Sequence, residues 1–432
     1  MRINRTGEEG RLSRPVAVRP VFIVVLALVV LVGTLLPGSL AAQTVFRNPD
    51  YEYIVDIPVG WEILDGERTD FISFTDPDHV AVFQIIAFPG NQFATADELE
   101  QYVRESYGAT GDKAPYRYFN QPAIFGDYRF TAGQYDVRGY MAFLNRDEYD
   151  FAVMTFVPED YYEQYHDAIL SALDSFSPDT VTRNYPGPVS QFFGGDTDSE
   201  GANAAKGGSA RGTVGTTTLP EGSSYELPGS VASEAVIDAS QTLIEREARV
   251  LSAYTPEEGE SPRVGDGPAP PWAVAWRRYF RMVYRDSFSR LEPVAEALFM
   301  DLARAGVPRD EMPARILGWL QSAEYKRTRS LSDLMSPSAC LLEFAGDCDS
   351  LGITYVILLH HLGFDAILMA SIEYAHAMVG VDVAGEGARF PFSGKEWLVA
   401  ELTEEVAIGQ IAQEMSDIGG WIGVKLDPTV EW

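Results

Sequence analysis

The chain has 432 residues, 46% of them hydrophobic and 12% aromatic. That is enough to bury two ordinary cores, and it excludes a disordered or fibrous protein. Its 63 acidic against 33 basic residues leave a net charge of -30, which disfavours lasting attachment to nucleic acid or to an anionic bilayer. Only five of the basic residues are lysine, a balance that suits a hydrated acidic surface in a salty or exposed setting. Two cysteines, Cys340 and Cys348, cannot staple a chain of this length, so packing must hold it together.

Arg2, Arg5, Arg11, Arg14 and Arg19 precede an apolar run over residues 21–36, and Pro37 and Gly38 then break the helix before the small-x-small pattern Ser39-Leu40-Ala41. Residues 1–42 read as a signal peptide or an N-terminal anchor. The run is shorter than the ~20 residues of a spanning helix, so cutting is expected near Ala41 or Ala42. Extended through Leu40, the segment would instead remain as an anchor, and it would be the only contact with a membrane. Either way the chain is expected to be exported, to a periplasmic or extracellular place. With no cysteine at the cut, a lipoprotein is not indicated. The segment carries more bases than acids, so its removal leaves the mature chain more acidic still.

Residues 43–180 read as an α+β domain. Strand patterns lie over 51–57 (YEYIVDI), 71–74, 80–88 and, with breaks at Gly133, Gly139 and Asn145-Arg146-Asp147, over 128–156. A helix over 95–107 opens with a Thr95-x-x-Glu98 capping pattern, and a second over 159–176 spaces Tyr162, Tyr165, Ile169, Leu173 and Phe176 on one face. The opening DYEYIVDIPVGWEI, with its Ile57-Pro58-x-Gly60-Trp61 turn, resembles the PsbP-like family of small secreted and lumenal domains. The resemblance implies an antiparallel sheet with helices, and a binding or assembly module that would meet an envelope partner rather than do chemistry. His79 and His166 read as surface residues.

Residues 181–231 are rich in Gly, Ser, Thr, Asp and Ala and read as a flexible Gly/Ser-rich linker between two independently moving parts. The second domain, 232–432, begins with helices over 232–254, 291–305 and 312–321. Between the first two of these, Trp272, Trp276, Tyr279 and Val283 mark a buried helical face. Arg277, Arg278, Arg281 and Arg285 decorate the same helix, as a solvated face or a phosphate site.

The segment 346–403 carries the chemistry. Cys348, in Gly346-Asp347-Cys348-Asp349-Ser350, opens a helix that Gly363 ends. There the unpaired N–H groups and the helix dipole are expected to favour thiolate. Strands are expected over 366–371, 375–383 and 397–403. If the last two pair around the Gly-rich turn 385–389, His376 and Glu401 become cross-strand neighbours. A carboxylate beside an imidazole beside a thiol is a Cys-His-acid triad.

At this point the sequence resembles the transglutaminase-like superfamily, on Gly-x-Cys at a helix start, His376 on one strand and Glu401-Leu402-Thr403 on the next. Leu320-Gln321-Ser322-Ala323-Glu324-Tyr325 upstream and Ile408-Gly409 downstream extend the likeness. The resemblance implies a papain-like domain of helices and antiparallel sheet, with Cys348 as nucleophile, His376 as general base and then acid, and Glu401 as the orienting acid. Many members carry aspartate at the third position, and Asp427, in Leu426-Asp427-Pro428-Thr429, is the alternative acid. The backbone N–H of Cys348 is the natural oxyanion donor, with Gln321 or Trp319 as a second.

The function expected is an exported thiol-dependent acyl-transfer enzyme, a transglutaminase-like cysteine peptidase that hydrolyses peptide or isopeptide amides in a protein or peptide substrate. Cross-linking by transfer to lysine is the alternative chemistry. A non-catalytic envelope binding protein, with Cys348 structural or bonded to Cys340, is the alternative class. No metal or organic cofactor is implied. His360 and His361 point about 100° apart on their helix and read as partners of its C-terminal dipole.

Overall fold

The structure, a computed structural model, describes residues 44–194, 213–256 and 269–426. The expected signal over 1–42, the middle of the expected linker and Asp427 lie outside the described residues. No helix among the described residues is long and apolar enough to cross a membrane.

The fold is α+β. In the N-terminal half, seven antiparallel strands run in the order Glu62–Arg68, Phe71–Thr75, Val82–Pro89, Tyr149–Pro158, Tyr135–Leu144, Gln121–Ala132 and Thr110–Tyr118. The helix Tyr162–Asp174 covers one face over Phe83, Ile85, Phe151 and Val153. The helix Ala96–Tyr107 covers the other over Ile86, Ala152, Met154 and Phe156. Because both faces are buried, the central strands carry the continuous apolar runs VFQIIAF and FAVMTFV instead of an alternation. The Thr95 hydroxyl accepts the Glu98 N–H at 3.2 Å while the Glu98 carboxylate accepts the Ala94 N–H, which starts that helix as its capping pattern implied.

The C-terminal half is built on an antiparallel five-stranded sheet in the order Arg389–Phe392, Lys395–Ala400, His376–Val381, Ala366–Ser371 and Ile422–Val424. The apolar helix Cys348–His361 packs on one face with the helices Pro271–Phe288, Glu292–Arg304 and Met312–Gln321. Met369, Met378, Trp397, Val399 and Trp421 build a smaller core on the other face.

Two expectations about this sheet are corrected. The stretch between the two expected strands, after the expected turn over 385–389, adds a strand, Arg389–Phe392, closed onto Lys395–Ala400 by Ser393 and Gly394, both in the left-handed region (φ 53 and 77). That is the two-residue turn whose twist suits a hairpin. The register also differs: Val379 lies opposite Ala400 and Val381 opposite Leu398, two positions away from setting His376 directly against Glu401. A slip of one would send the two side chains to opposite faces, whereas a slip of two keeps them on the same face as diagonal neighbours.

The expected linker is folded at both described ends. Helix Pro188–Gly194 buries Val189 in the N-terminal core, and the Asp174 carboxylate accepts the N–H groups of Val189 and Ser190 at its start. The hairpin Thr213–Thr218/Ser224–Pro228 and the short helix Gly229–Ala232 bury Leu219, Leu227 and Val231 in the C-terminal core. These few apolar residues suffice because each enters a core already formed by other elements.

Nor are the two halves independent, and the arginines of Pro271–Phe288 are not a solvated face. Arg278 donates to the Asp56 carbonyl, the Glu247 carboxylate and the Ser171 carbonyl, at 2.7, 2.8 and 3.3 Å. Arg281 grips the Asp56 carboxylate, and Arg285 donates to the carbonyls of Tyr185, Asp174 and Phe176. Arg246 adds a 2.6 Å bond to Asp174. Arg277 faces its own half, donating to the Gly423 carbonyl. Arg278, Arg281 and Arg285 form a buried joint whose guanidinium groups are taken up by carboxylates and carbonyls of the first half and by Glu247.

Candidate active site

Three elements converge at one end of the C-terminal sheet. The first is the start of the cysteine helix. Asp347 is its N-cap: the carboxylate accepts both the N–H and the hydroxyl of Ser350. Gly346 sits in a tight place, since a Cβ there would lie 3.1 Å from the Cys340 sulfur and 3.1 Å from the Ser350 Cβ, and these neighbours would have to give by a few tenths of an ångström. Cys348 is thereby the first helical residue, and its own N–H has no intrahelical acceptor and faces outward from the helix end.

The second element is the strand that opens with His376, just after Ala375 takes a left-handed backbone (φ 48). The backbone N–H of Ala377 reaches the Cys348 thiol. His376 Nε2 meets the Glu401 carboxylate at 2.7 Å, with both side chains largely buried. The Trp421 ring lies 6.3 Å from the imidazole.

The third element is the loop after Lys395–Ala400, where the expected strand stops short of Glu401. The other Glu401 oxygen accepts the N–H and the hydroxyl of Thr403, at 2.8 and 2.7 Å, so the Glu-x-Thr motif is a clamp on the acid. Burial raises the Glu401 pKa, and the His376 and Thr403 bonds outweigh it and hold the carboxyl below its usual range. One methylene longer than aspartate, the glutamate spans to the imidazole from a loop position.

The thiol differs from expectation. Burial, then the carboxyls of Asp349 and Asp347, push the Cys348 thiol up to about 12 and outweigh the Ala377 and Asp349 N–H groups, so the resting group is a neutral thiol. Sequence reasoning missed Asp349, which burial and Asp347 push up to about 7 and which feels the charge of His376. Its signal was present in the motif, a carboxyl on the turn beside the nucleophile.

Gln321 is not an oxyanion donor. Its amide nitrogen donates to the carbonyls of Glu401 and Val406, both at 2.9 Å, which uses both N–H bonds and ties the acid's loop to the helix Met312–Gln321. The Trp319 N–H is likewise taken, by the Thr218 carbonyl at 2.7 Å. Both cysteines are free, and Cys340 is a buried thiol, raised by desolvation, whose S–H points to the Met335 carbonyl. His360 and His361 lie away from the site, bonded to Tyr284 and Ala366 and to Phe288 respectively. His166 reaches the Tyr140 hydroxyl, and His79 sits exposed in a left-handed turn.

No protein-family model matches the chain, and no curated protein matches it. Among solved structures it is similar to the cyanobacterial PsbP of Synechocystis, at 13% identity over 34% of this chain and 98% of that one, with a TM-score of 0.27. It is also similar to a Bacteroides thetaiotaomicron protein, at 13% identity over 58% and 78% and a TM-score of 0.23. A third is Mycobacterium tuberculosis LpqN, described as involved in cell envelope biogenesis, at 10% identity over 31% and 88% and a TM-score of 0.23. The solved structures it resembles include a PsbP-like fold, while the transglutaminase-like resemblance rests on the residues alone.

Proposed function

We propose that the C-terminal half is a transglutaminase-like, thiol-dependent acyl-transfer enzyme that hydrolyses peptide or isopeptide amides. The observation that carries this reading is the 2.7 Å His376–Glu401 pair beside a cysteine at a helix start. His376 takes the Cys348 proton as the sulfur attacks the carboxamide carbon, Glu401 holds the imidazolium that forms, and the Cys348 N–H receives the developing oxyanion. The imidazolium then protonates the leaving amine, and water resolves the thioester. With burial holding the thiol protonated, this reading has transfer to His376 accompany attack instead of preceding it.

The N-terminal arginines and the apolar run that follows them support an exported protein, and the PsbP-like sequence pattern is the ground for reading the first half as a module that meets an envelope partner. The burial of Cys348 is the observation that favours the competing, non-catalytic reading.

The test is amide turnover on a fluorogenic peptide and isopeptide panel, with iodoacetamide labelling mapped by mass spectrometry. Turnover lost in step with alkylation of Cys348, and absent from Cys348→Ala, supports the enzyme. Full turnover in Cys348→Ala, or an inert Cys348 with no turnover on any amide, overturns it.

A further inference from the structure

The chain from Gln321 to Lys326 borders the candidate site. Gln321 holds the carbonyl of Glu401, the strand Glu324–Tyr325 pairs in parallel with Ala345–Gly346, and the Lys326 N–H bonds the Gly346 carbonyl at 3.0 Å, two residues before the nucleophile. Beyond that point the segment turns outward. Tyr325 is 55% and Leu331 is 61% exposed, among the few large apolar side chains in that condition. Arg329 takes a left-handed backbone (φ 59) at the exposed turn.

The segment is also a charge exception. Three cations fall within four positions, Lys326, Arg327 and Arg329, in a chain of net charge -30. Lys326 pairs with Glu343. Arg327 stands 3.8 Å from Asp333, a loose and exposed pair, and its charge reaches Asp347 and Asp349. Arg329 has no hydrogen-bond or ion-pair partner among the described residues.

The acids of the site floor, by contrast, are engaged: Asp347 caps the helix, Glu401 holds His376 and Thr403, and Asp349 keeps its proton to near neutral pH. Between Gln321 and Asp333 three cations stand against two carboxylates, Glu324 and Asp333, and Arg329 is the cation that no described partner holds.

We infer that residues 325–331 form the substrate lip of this site and select acyl donors that carry acidic residues beside the reacting amide, with Tyr325 and Leu331 meeting the donor's apolar atoms and Arg327 and Arg329 its carboxylates. The inference rests on the acyl-transfer reading for what happens after binding, but binding itself can be read without turnover.

The test uses the full chain carrying Cys348→Ala and three fluorescein-labelled peptides of equal length around one glutamine, flanked by glutamates, by glutamines or by lysines, followed by anisotropy at low salt. The acidic peptide should bind tightest, against the overall charge of the protein. Arg329→Glu with Arg327→Gln should weaken it roughly tenfold, since each exposed contact is worth up to about a fivefold effect, and added salt should do the same. A basic peptide binding tightest, or an acidic one unaffected by the double substitution in a chain of unchanged melting temperature, overturns the inference. Acidic-peptide binding without amide turnover in the native chain would sink the enzyme and leave the lip standing.

Discussion

At the scale of single residues, the site turns on how a carboxyl sits beside a thiol. Asp349 adjoins Cys348 on the first turn, and burial has pushed it up to about 7. Above that pH it is charged and holds the thiol protonated; below it the carboxyl is neutral and the restraint is gone. Asp349→Asn should leave the thiol easier to ionise, with iodoacetamide reacting roughly three- to tenfold faster at mildly alkaline pH, while equal rates would exclude the coupling. Stability gives an independent reading. A carboxyl whose folded pKa lies above its unfolded value near ~4 favours the native state below that value and loses this contribution as pH rises through about 7. The asparagine variant should therefore gain stability over the wild type at alkaline pH and match it in acid.

At the scale of elements, the acid of the pair is held by a loop that borrows rigidity from its neighbours. Thr403 supplies two donors to one Glu401 oxygen, and Gln321 secures the carbonyl of the same residue from another helix. Thr403→Val keeps the shape and the N–H but removes the hydroxyl, at a cost of about 1 kcal/mol. The Glu401 pKa, held low in the native chain, should rise, so the stability that this carboxylate contributes above its unfolded value is smaller and is lost at a higher pH on acidification. The acid limb of amide turnover should move upward with it while the alkaline limb stays, and an unmoved acid limb would show that Thr403 does not govern the acid. The strands and helices around this loop were legible because each carries its own period: the apolar strand 366–371 and the helix 312–321 match the elements Ala366–Ser371 and Met312–Gln321. His376 and Glu401 could be paired despite a register error because parity, which sets the face, survives a slip of two. What stayed hidden depends on partners distant in sequence. Nothing local marks Gln321 as a strut 80 residues from Glu401, or shows that burial would defeat the helix dipole at Cys348.

At the scale of the whole molecule, the same reasoning explains why the arginine stripe was unreadable from its own helix. Arg278, Arg281 and Arg285, at helical spacing, look like a wet surface until the far half of the chain supplies Asp56 and a row of carbonyls. Burying such cations is costly, and breaking one pair leaves a charge uncompensated. Arg278→Met should therefore cost about 3–5 kcal/mol, because Arg246 is left to serve the buried carboxylates of Glu247 and Asp174 alone. Since helices Glu234–Ser252 and Pro271–Phe288 belong to the C-terminal core while gripping the N-terminal helix Tyr162–Asp174, the wild type should melt as one cooperative unit, and the variant should split into two calorimetric transitions. Burial raises the Asp56 and Asp174 carboxyls, but their arginines outweigh it and hold both below the usual carboxylate range. Their contribution is full above the unfolded value near ~4 and is lost as pH falls through the folded one, so the joint should be the first structure to open in acid. Salt separates this joint from the acidic exterior. Raising salt from ~0.05 to ~1 M screens repulsion on the surface and should raise the melting temperature of every form, yet it barely reaches a dry pair. The deficit of Arg278→Met should stay constant across that range, and a deficit that shrinks with salt would mean that solvent already enters the joint.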